Sequence, residues 1–388
     1  MKATFLNTAI AMLIVGTLAT ASWLSSRPRR GHQPVYENAE RDPQEDAASP
    51  LVGQHGCADC HEQIVADHGR SPHARTLSRV EPATIEAFLS ATQRDGLCGD
   101  LSLEGTRLVV DRPDTTAPAV ITWVFGSGTH AQTPVSTWLD PEGNTVMLEH
   151  AISWYPPGQL GPTLGLSLLT ADSPDGFCGK LLNPEATRSC FGCHASRLPT
   201  VAGRIDEAAI QAGVGCVRCH PQAAAHAQAS RRGQTIPAGP VWESLSPLDS
   251  VRRCGECHRR DDQYRDEELQ PDNELLIRFA SVGLTQSSCF LSQTNHRLDC
   301  LTCHDPHQAA ADAAALSVAQ CLNCHQPEAD HAPCPKTETG SDCLACHMPS
   351  VGISPDLAFT DHWIRIPTNA EARAEGRAIP KVSALPTE

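Results

Sequence analysis

The chain has 388 residues and a formal net charge of −15 at pH 7. This acidity argues against binding to nucleic acid; it favours transient docking with a basic partner, or it serves solubility alone. Aromatic residues make up only 4% of the chain, and 27 glycines and 30 prolines leave little material for a conventional side-chain core.

The first 50 residues divide into an uncharged part and a polar part. Residues 1–26 have no charge after Lys2, which predicts an export signal peptide with a cleavage site near Ala19-Thr20-Ala21. The same run is long enough to cross a bilayer uncleaved, so an N-terminal membrane anchor is the alternative. Residues 27–50 are polar and contain proline, which predicts a flexible linker, and the polar residues 368–388 predict a loose tail.

The pattern Cys-x-x-Cys-His occurs seven times and predicts seven covalently attached haem c groups. Two thiols three positions apart reach the two vinyl groups of one porphyrin, and the next histidine becomes the proximal ligand of its iron. A zinc site would need two cysteine pairs per ion and gives no role to a histidine after each pair. The predicted attachment residues are Cys57, Cys60, Cys190, Cys193, Cys216, Cys219, Cys254, Cys257, Cys300, Cys303, Cys321, Cys324, Cys343 and Cys346. The predicted proximal ligands are His61, His194, His220, His258, His304, His325 and His347.

The spacing of the motifs predicts one haem domain over residues 51–367. Successive motifs are unequally spaced, which excludes a regular solenoid and favours short helices and loops between closely packed haems. We expect the macrocycles to supply the apolar volume that the side chains lack, so that folding depends on haem attachment. Helical composition is found at Pro82–Ser90, Ile205–Ala212 and Ala309–Cys321.

The longest interval between motifs predicts a β-rich insert at about residues 98–165. Segments rich in valine, isoleucine, threonine and tryptophan are separated by proline, glycine and aspartate, and Asp140-Pro141-Glu142-Gly143 is a good hairpin turn. The predicted strands are Arg107–Asp111, Ala119–Phe125, Thr133–Leu139 and Thr145–Tyr155. The expected fold is therefore mainly α and irregular, with a small antiparallel insert whose Trp123, Trp138 and Trp154 could cover haem faces.

Histidines are numerous enough to fill the second axial position of every haem. Eleven of the 18 histidines lie outside the motifs, so a protein with two histidines on each iron is arithmetically possible. Other ligands are scarce, because the chain has only four lysines and four methionines, and Met348 follows proximal His347 and cannot reach the opposite face of the same haem. Ligation by two histidines predicts fairly negative, graded reduction potentials.

Several segments resemble the multihaem cytochromes c related to the tetrahaem cytochrome of nitrifying bacteria. The resemblance is found in segments from Cys57–Leu77 to Phe359–Pro367, covering roughly residues 51 to 367. By this resemblance the distal ligands are His73, His130, His226, His307 and His362, with His296 and His331 as further candidates. The histidines expected to be bystanders are His55, His68 and His150, and His68 is the first substitute among them.

His307 follows its nearest proximal ligand, His304, by only three residues. It cannot reach the opposite face of the iron that His304 holds. We therefore expect His307 to bind the iron of a neighbouring haem and so to tie two haems together.

Four cysteines lie outside the motifs: Cys98, Cys178, Cys289 and Cys334. An oxidising compartment would allow two disulfides among them, in three pairings. Cys98 with Cys178 would bracket the β insert and is the preferred pairing. A free thiol acting as a haem ligand is the alternative.

These features predict an exported electron-transfer protein. Covalent haem attachment in bacteria takes place outside the cytoplasmic membrane, so a periplasmic or other extracytoplasmic location is expected, with membrane attachment if the N-terminal segment is retained. Expected partners are another redox protein, a membrane quinol-oxidising module or an extracellular acceptor. The alternative is an oxidoreductase that acts on a small nitrogen or sulfur compound at one open haem. Tyr155 or Tyr264 could be cross-linked to that haem. A structural or sensory role is the third hypothesis, and a gas sensor would also need an open haem.

Overall fold

The computed structural model describes residues 54–81, 101–104, 107–110, 119–156, 158–166, 179–239, 242–271, 273–293, 297–308, 313–325, 343–355 and 357–366. All of them belong to one compact unit that runs from Asp42 to Glu388. The predictions for the first 50 residues, the helix at Pro82–Ser90 and the C-terminal tail fall outside these ranges, as do His296, His331, Cys98, Cys178 and Cys334. Within the ranges, no helix is both long enough and apolar enough to cross a bilayer.

Short helices, most of them close to a motif, make up much of the described chain. They are α1 Gln54–Arg70, α2 Pro184–His194, α3 Cys216–Cys219, α4 Ala223–Arg231, α5 Pro247–His258, α6 Glu274–Ile277, α7 Ala280–Gln286, α8 Ser288–Leu291, α9 Cys300–Cys303, α10 Ala313–Cys324 and α11 Cys343–His347. The predicted helix at Ala309–Cys321 is confirmed from Ala313 onward, and it continues to Cys324.

The β insert is an antiparallel sheet with the strand order β2-β3-β4-β5-β6-β9, in which β1 also pairs with β4. Its strands are β1 Leu77–Arg79, β2 Leu101–Glu104, β3 Arg107–Val110, β4 Ala119–Phe125, β5 Thr133–Leu139, β6 Thr145–His150 and β9 Gly179–Leu182. The predicted strands Ala119–Phe125 and Thr133–Leu139 are confirmed at their predicted bounds, and the turn at residues 140–143 joins β5 to β6. The predicted strand Thr145–Tyr155 is divided at Ala151, because β7 Ile152–Tyr155 leaves the sheet and pairs with β8 Gln159–Pro162.

Small two-stranded sheets occupy the remaining described loops. They are formed by β10 Ala195–Arg197 with β13 Gln211–Ala212, by β11 Thr200–Val201 with β12 Arg204–Ile205, and by β14 Ser350–Ser354 with β15 Leu357–Thr360. The first two replace the predicted helix at Ile205–Ala212, which is therefore wrong. Only a single 3₁₀ turn, Glu207–Ala209, forms there, because Ile205 is buried and its N–H donates to the Thr145 hydroxyl at 2.9 Å.

The insert has a side-chain core of its own, between the sheet and α2. Its fully or nearly fully buried members are Leu77, Trp123, Val135, Met147, Phe191, Ala195 and Ile205. The Trp123 ring lies edge-on to Phe191 with centroids 5.7 Å apart, and the Arg79 guanidinium lies 3.7 Å from its centroid. Both Trp123 and Thr137 donate hydrogen bonds to the Glu207 carboxylate, at 2.9 and 2.6 Å. The expectation that Trp123 covers a haem face is therefore wrong, since these side chains enclose its indole.

A glycine brings the segment that carries His73 close to the motif that begins at Cys216. Gly213 has φ +79°, and a Cβ placed on it would lie 2.1 Å from the Ala74 carbonyl oxygen. This close approach lets the Val214 N–H donate to the His73 carbonyl at 2.9 Å. Only glycine fits both the backbone conformation and the available space.

Candidate haem-ligand sites

Local helical structure arranges the thiols of each motif. Residues three apart lie on the same side of a helical turn, so the two cysteines of a motif face one side. The motif helices α2, α5 and α9 begin at capping side chains, respectively Asn183, Ser246 and Asp299. Asp299 accepts hydrogen bonds from the N–H groups of Leu301 at 3.0 Å and Thr302 at 3.2 Å.

The motif histidine often stands where the helix ends. The backbone of His61 departs from helical geometry at φ −122° and ψ 42°, and His220 and His304 lie at the C-terminal ends of α3 and α9 with extended or irregular backbone. The imidazole can therefore turn away from the helix surface while the two thiols stay on it.

Four motif histidines each face one histidine from outside the motifs. The ring centroids are 6.3 Å apart for His61 and His226, 6.1 Å for His73 and His258, 6.3 Å for His220 and His307, and 6.2 Å for His304 and His362. Imidazole nitrogen binds a metal at about 2.0 Å, and the centroid lies about 1.2 Å behind it, so two rings on opposite sides of one ion would be roughly 6.4 Å apart. All four pairs have a separation that suits one iron between them.

These pairs connect distant motifs. The His307 ring lies against His220 and not against its sequence neighbour His304, which faces His362 instead. His73 lies after the first motif and faces the histidine of the fourth, while His226 lies after the third and faces the histidine of the first. The structure brings together four of the five principal distal candidates with motif histidines; ligation itself remains a prediction.

Burial keeps many of these rings in the neutral form that binds metals. Desolvation lowers the pKa values of His73, His194, His220, His304 and His362 below the ordinary value. A neutral imidazole has a free nitrogen lone pair for a metal, whereas a protonated one has none.

His258 combines a large accessible area with strong desolvation. The residue has exposed surface, yet burial among surrounding protein atoms lowers the pKa of its imidazole to about 4. This environment favours the neutral imidazole, which is the form that binds a metal.

The second ring nitrogen of several histidines is held by a hydrogen bond. Such a bond orients the ring and leaves Nε2 for a metal. The Nδ1 partners are the carbonyl oxygen of Thr76 for His194 (2.9 Å), of Ile236 for His226 (2.6 Å), of Arg365 for His347 (2.8 Å) and of Thr360 for His362 (2.9 Å), and the carboxylate of Asp305 for His307 (2.9 Å). The sequence analysis did not predict the hydrogen bond between His307 Nδ1 and the Asp305 carboxylate. An aspartate two residues before a histidine is nevertheless a recognisable local signal for such a bond.

Thiols of different motifs also lie next to one another. Burial and the neighbouring Cys216 thiol raise the pKa of Cys57, and the neighbouring Cys254 thiol and burial raise the pKa of Cys300. Adjacent thiols from different motifs indicate that the groups attached to them would also be neighbours. Among the described residues, no cluster of three histidine, cysteine or acidic side chains is arranged to hold a bare metal ion. The paired thiols and the following histidine of each motif are the donor set that covalent haem attachment needs.

The remaining described histidines have other surroundings. His130, the fifth principal distal candidate, lies 5.0 Å from the Phe359 ring, and burial lowers its pKa. His68 is buried and lies near His73. His150 is fully buried, and its Nε2 lies 3.0 Å from the Ser136 hydroxyl.

Comparison with known proteins gives one family and one solved structure. The family described as cytochrome c554 and c-prime matches residues 178–221, which contain the motifs at Cys190–His194 and Cys216–His220. No curated protein matches the chain. The crystal structure of the outer cell wall cytochrome OcwA is similar with a TM-score of 0.47 and 14% sequence identity, covering 84% of this chain and 81% of that one. The family match supports a multihaem c-type cytochrome with covalently bound haem c.

Proposed function

We propose that this protein carries electrons between redox partners through seven covalently bound haems, most of them held by two histidines. The observation that carries the proposal is the set of four imidazole pairs with centroids 6.1 to 6.3 Å apart. Haem supplies an iron that takes up and releases one electron. When protein side chains hold both axial positions, no position is left for a substrate, and electron transfer is the chemistry that remains.

The protein's own contribution is to hold the imidazoles rigidly and keep them neutral. The rings of His226 and His362 are fixed through Nδ1 by backbone carbonyls. Desolvation lowers the pKa of His362 and so disfavours its protonation. A ligand that neither rotates nor takes up a proton changes little between the two oxidation states, which favours fast electron transfer.

Three motif histidines, His194, His325 and His347, are not among these four pairs. We assign His130, His296 and His331 as the candidates for distal positions there.

The proposed location is outside the cytoplasmic membrane. Support comes from the covalent haem attachment implied by the family match and from the uncharged N-terminal run, which would act as a signal peptide or as an anchor. The net charge of −15 suits docking with a basic surface of another redox protein or of a membrane quinol-oxidising module.

Mass and spectroscopy of the purified oxidised protein test the proposal. Intact mass should show seven haems, and electron paramagnetic resonance (EPR) should show that most of the iron is low-spin. Fewer than four low-spin haems would overturn it, because four imidazole pairs require at least that number.

The second candidate function is an oxidoreductase with an open haem at the Cys190–His194 motif. Within the described residues, the ring contact of His194 is with Phe125, at 4.9 Å and 67°, and not with a second histidine. Arg259 contributes positive charge near Cys190. Its guanidinium lies 5.7 Å from the Phe279 ring, and the Tyr264 ring lies 6.2 Å from the same ring.

This arrangement would place basic and phenolic groups near one haem, as chemistry on a small nitrogen or sulfur compound would need. The discriminating measurement is the spin state. A high-spin haem whose spectrum changes with nitrite or hydroxylamine would favour the oxidoreductase, whereas seven low-spin haems would remove it.

A further inference from the structure

His307 differs from the other described histidines whose Nδ1 bonds are known. His194, His226, His347 and His362 have backbone carbonyl oxygens as Nδ1 partners, whereas His307 has a carboxylate. A carboxylate is a stronger acceptor than a carbonyl, because it carries a full negative charge. The difference is therefore chemical as well as geometric.

One oxygen of Asp305 holds both the backbone and the ring of His307. Asp305 Oδ1 accepts from the His307 backbone N–H at 2.9 Å and lies 2.9 Å from His307 Nδ1. The two bonds fix the ring so that its plane lies within 10° of the His220 plane, with the centroids 6.3 Å apart. The His307 side chain is 39% exposed and that of Asp305 is 44% exposed, so water screens part of the carboxylate charge but leaves the hydrogen bond in place.

We propose that Asp305 is a positioning residue that lowers the reduction potential of the haem held by Cys216, Cys219 and His220. The inference rests on the proposed function, since it needs His307 as the distal ligand of that haem. A carboxylate that accepts a hydrogen bond from the Nδ1–H group makes Nε2 a stronger electron donor. A stronger donor stabilises the oxidised iron, so this haem holds its electron less tightly than it would with a carbonyl-bonded histidine.

A purely structural role for Asp305 makes a different prediction. An aspartate that only shapes the turn through hydrogen bonds can be replaced by asparagine, whose side-chain oxygen accepts the same two bonds. The Asp305→Asn variant therefore removes the charge and keeps the geometry. A structural role would leave the potential unchanged, whereas the proposed role would raise it.

The experiment is a redox titration of the full-length, haem-loaded protein, followed by EPR and visible absorption. Asp305→Asn should raise the midpoint of one low-spin haem by an amount equal to about a threefold to tenfold change in its oxidised-to-reduced ratio, where tenfold is 59 mV. Asp266→Asn is the matched control, because it removes the same charge from an exposed residue whose side chain makes no hydrogen bond or ion pair with the described residues. It should shift no single haem selectively.

Asp305→Glu and Asp305→Gln repeat the comparison of a charged with a neutral side chain, in side chains one methylene longer. Haem counting by mass detects a folding defect in any of these variants. The Gln variant should have the higher potential of the two. Equal potentials within a pair, or a shift no larger than that of Asp266→Asn, would overturn the inference. His307→Ala separates this failure from failure of the proposed function, because an unchanged number of low-spin haems in that variant would refute ligation by His307 itself.

Discussion

Replacing His307 with alanine should open one axial position at the Cys216–His220 motif and leave the Cys300–His304 motif intact. The reason is the pairing of rings: His307 faces His220 at 6.3 Å, whereas His304 faces His362 at 6.2 Å. The perturbed haem is then not the one that is adjacent in sequence.

The size of the effect follows from the count of motifs. One haem in seven should change from low-spin to high-spin, and the haem content by mass should not change, because His307 forms none of the thioether bonds. The lost signal should be rhombic, since the two imidazole planes lie within 10° of each other. The near-perpendicular pair of His73 and His258, at 82°, should give a more anisotropic low-spin signal, and this signal should persist.

EPR of the oxidised protein and carbon monoxide binding to the reduced protein measure this change. Two backgrounds identify the haem: one lacks the Cys216 and Cys219 thiols, and the other lacks those of Cys300 and Cys303. His307→Ala should have no further effect on the spectrum in the first background and its full effect in the second. The opposite pattern would refute the pairing of His307 with His220.

Three further changes test the scaffold by thermal or denaturant unfolding, monitored by circular dichroism. Gly213→Ala should cost roughly 3 kcal/mol through overlap with the Ala74 carbonyl, whereas Gly143→Ala, at φ +85° with no atom within 4 Å of its new Cβ, should cost about 1 kcal/mol; equal losses would contradict the close approach. Glu207→Ala should cost about 2 kcal/mol, because it leaves a buried indole N–H and a threonine hydroxyl without their acceptor. Burial lowers the pKa of His150 from 6.5 to about 4, so its contribution to stability is complete above pH 6.5 and falls by about 1.4 kcal/mol per pH unit down to about pH 4. The His150→Gln variant should show a flatter pH dependence, and an unchanged slope would assign the acid sensitivity to other groups.

Local patterns account for what could be predicted from the sequence. The five residues of each motif meet the covalent and ligand requirements of one haem with no help from distant residues. The strands Ala119–Phe125 and Thr133–Leu139 follow from β-branched composition between turn signals, which are also local.

Distant contacts explain the errors. Residues 205–212 have helical composition, but the Glu207 carboxylate is bonded to Trp123 and Thr137 of the sheet, and Ile205 is buried. The sequence around Trp123 does not show whether its indole faces a haem or other side chains, because the ring that packs against it, Phe191, is distant in the chain. Tertiary packing overrides composition at these positions.

The pairing of histidines is the part that no local pattern could supply. His73 and His258 meet because the fold brings the third and fourth motifs beside the first, and Gly213 allows the segment before the third motif to approach Ala74 closely. The sequence did indicate that His307 faces a motif other than its own, but it contained no signal that this motif is Cys216–His220.

The pair formed by His73 and His258 joins two distant parts of the chain, because His73 follows the first motif and His258 belongs to the fourth. In the proposed ligation, the fourth haem would close the segment between these two rings into a long loop. Its attachment would then act as a cross-link that restricts the unfolded chain.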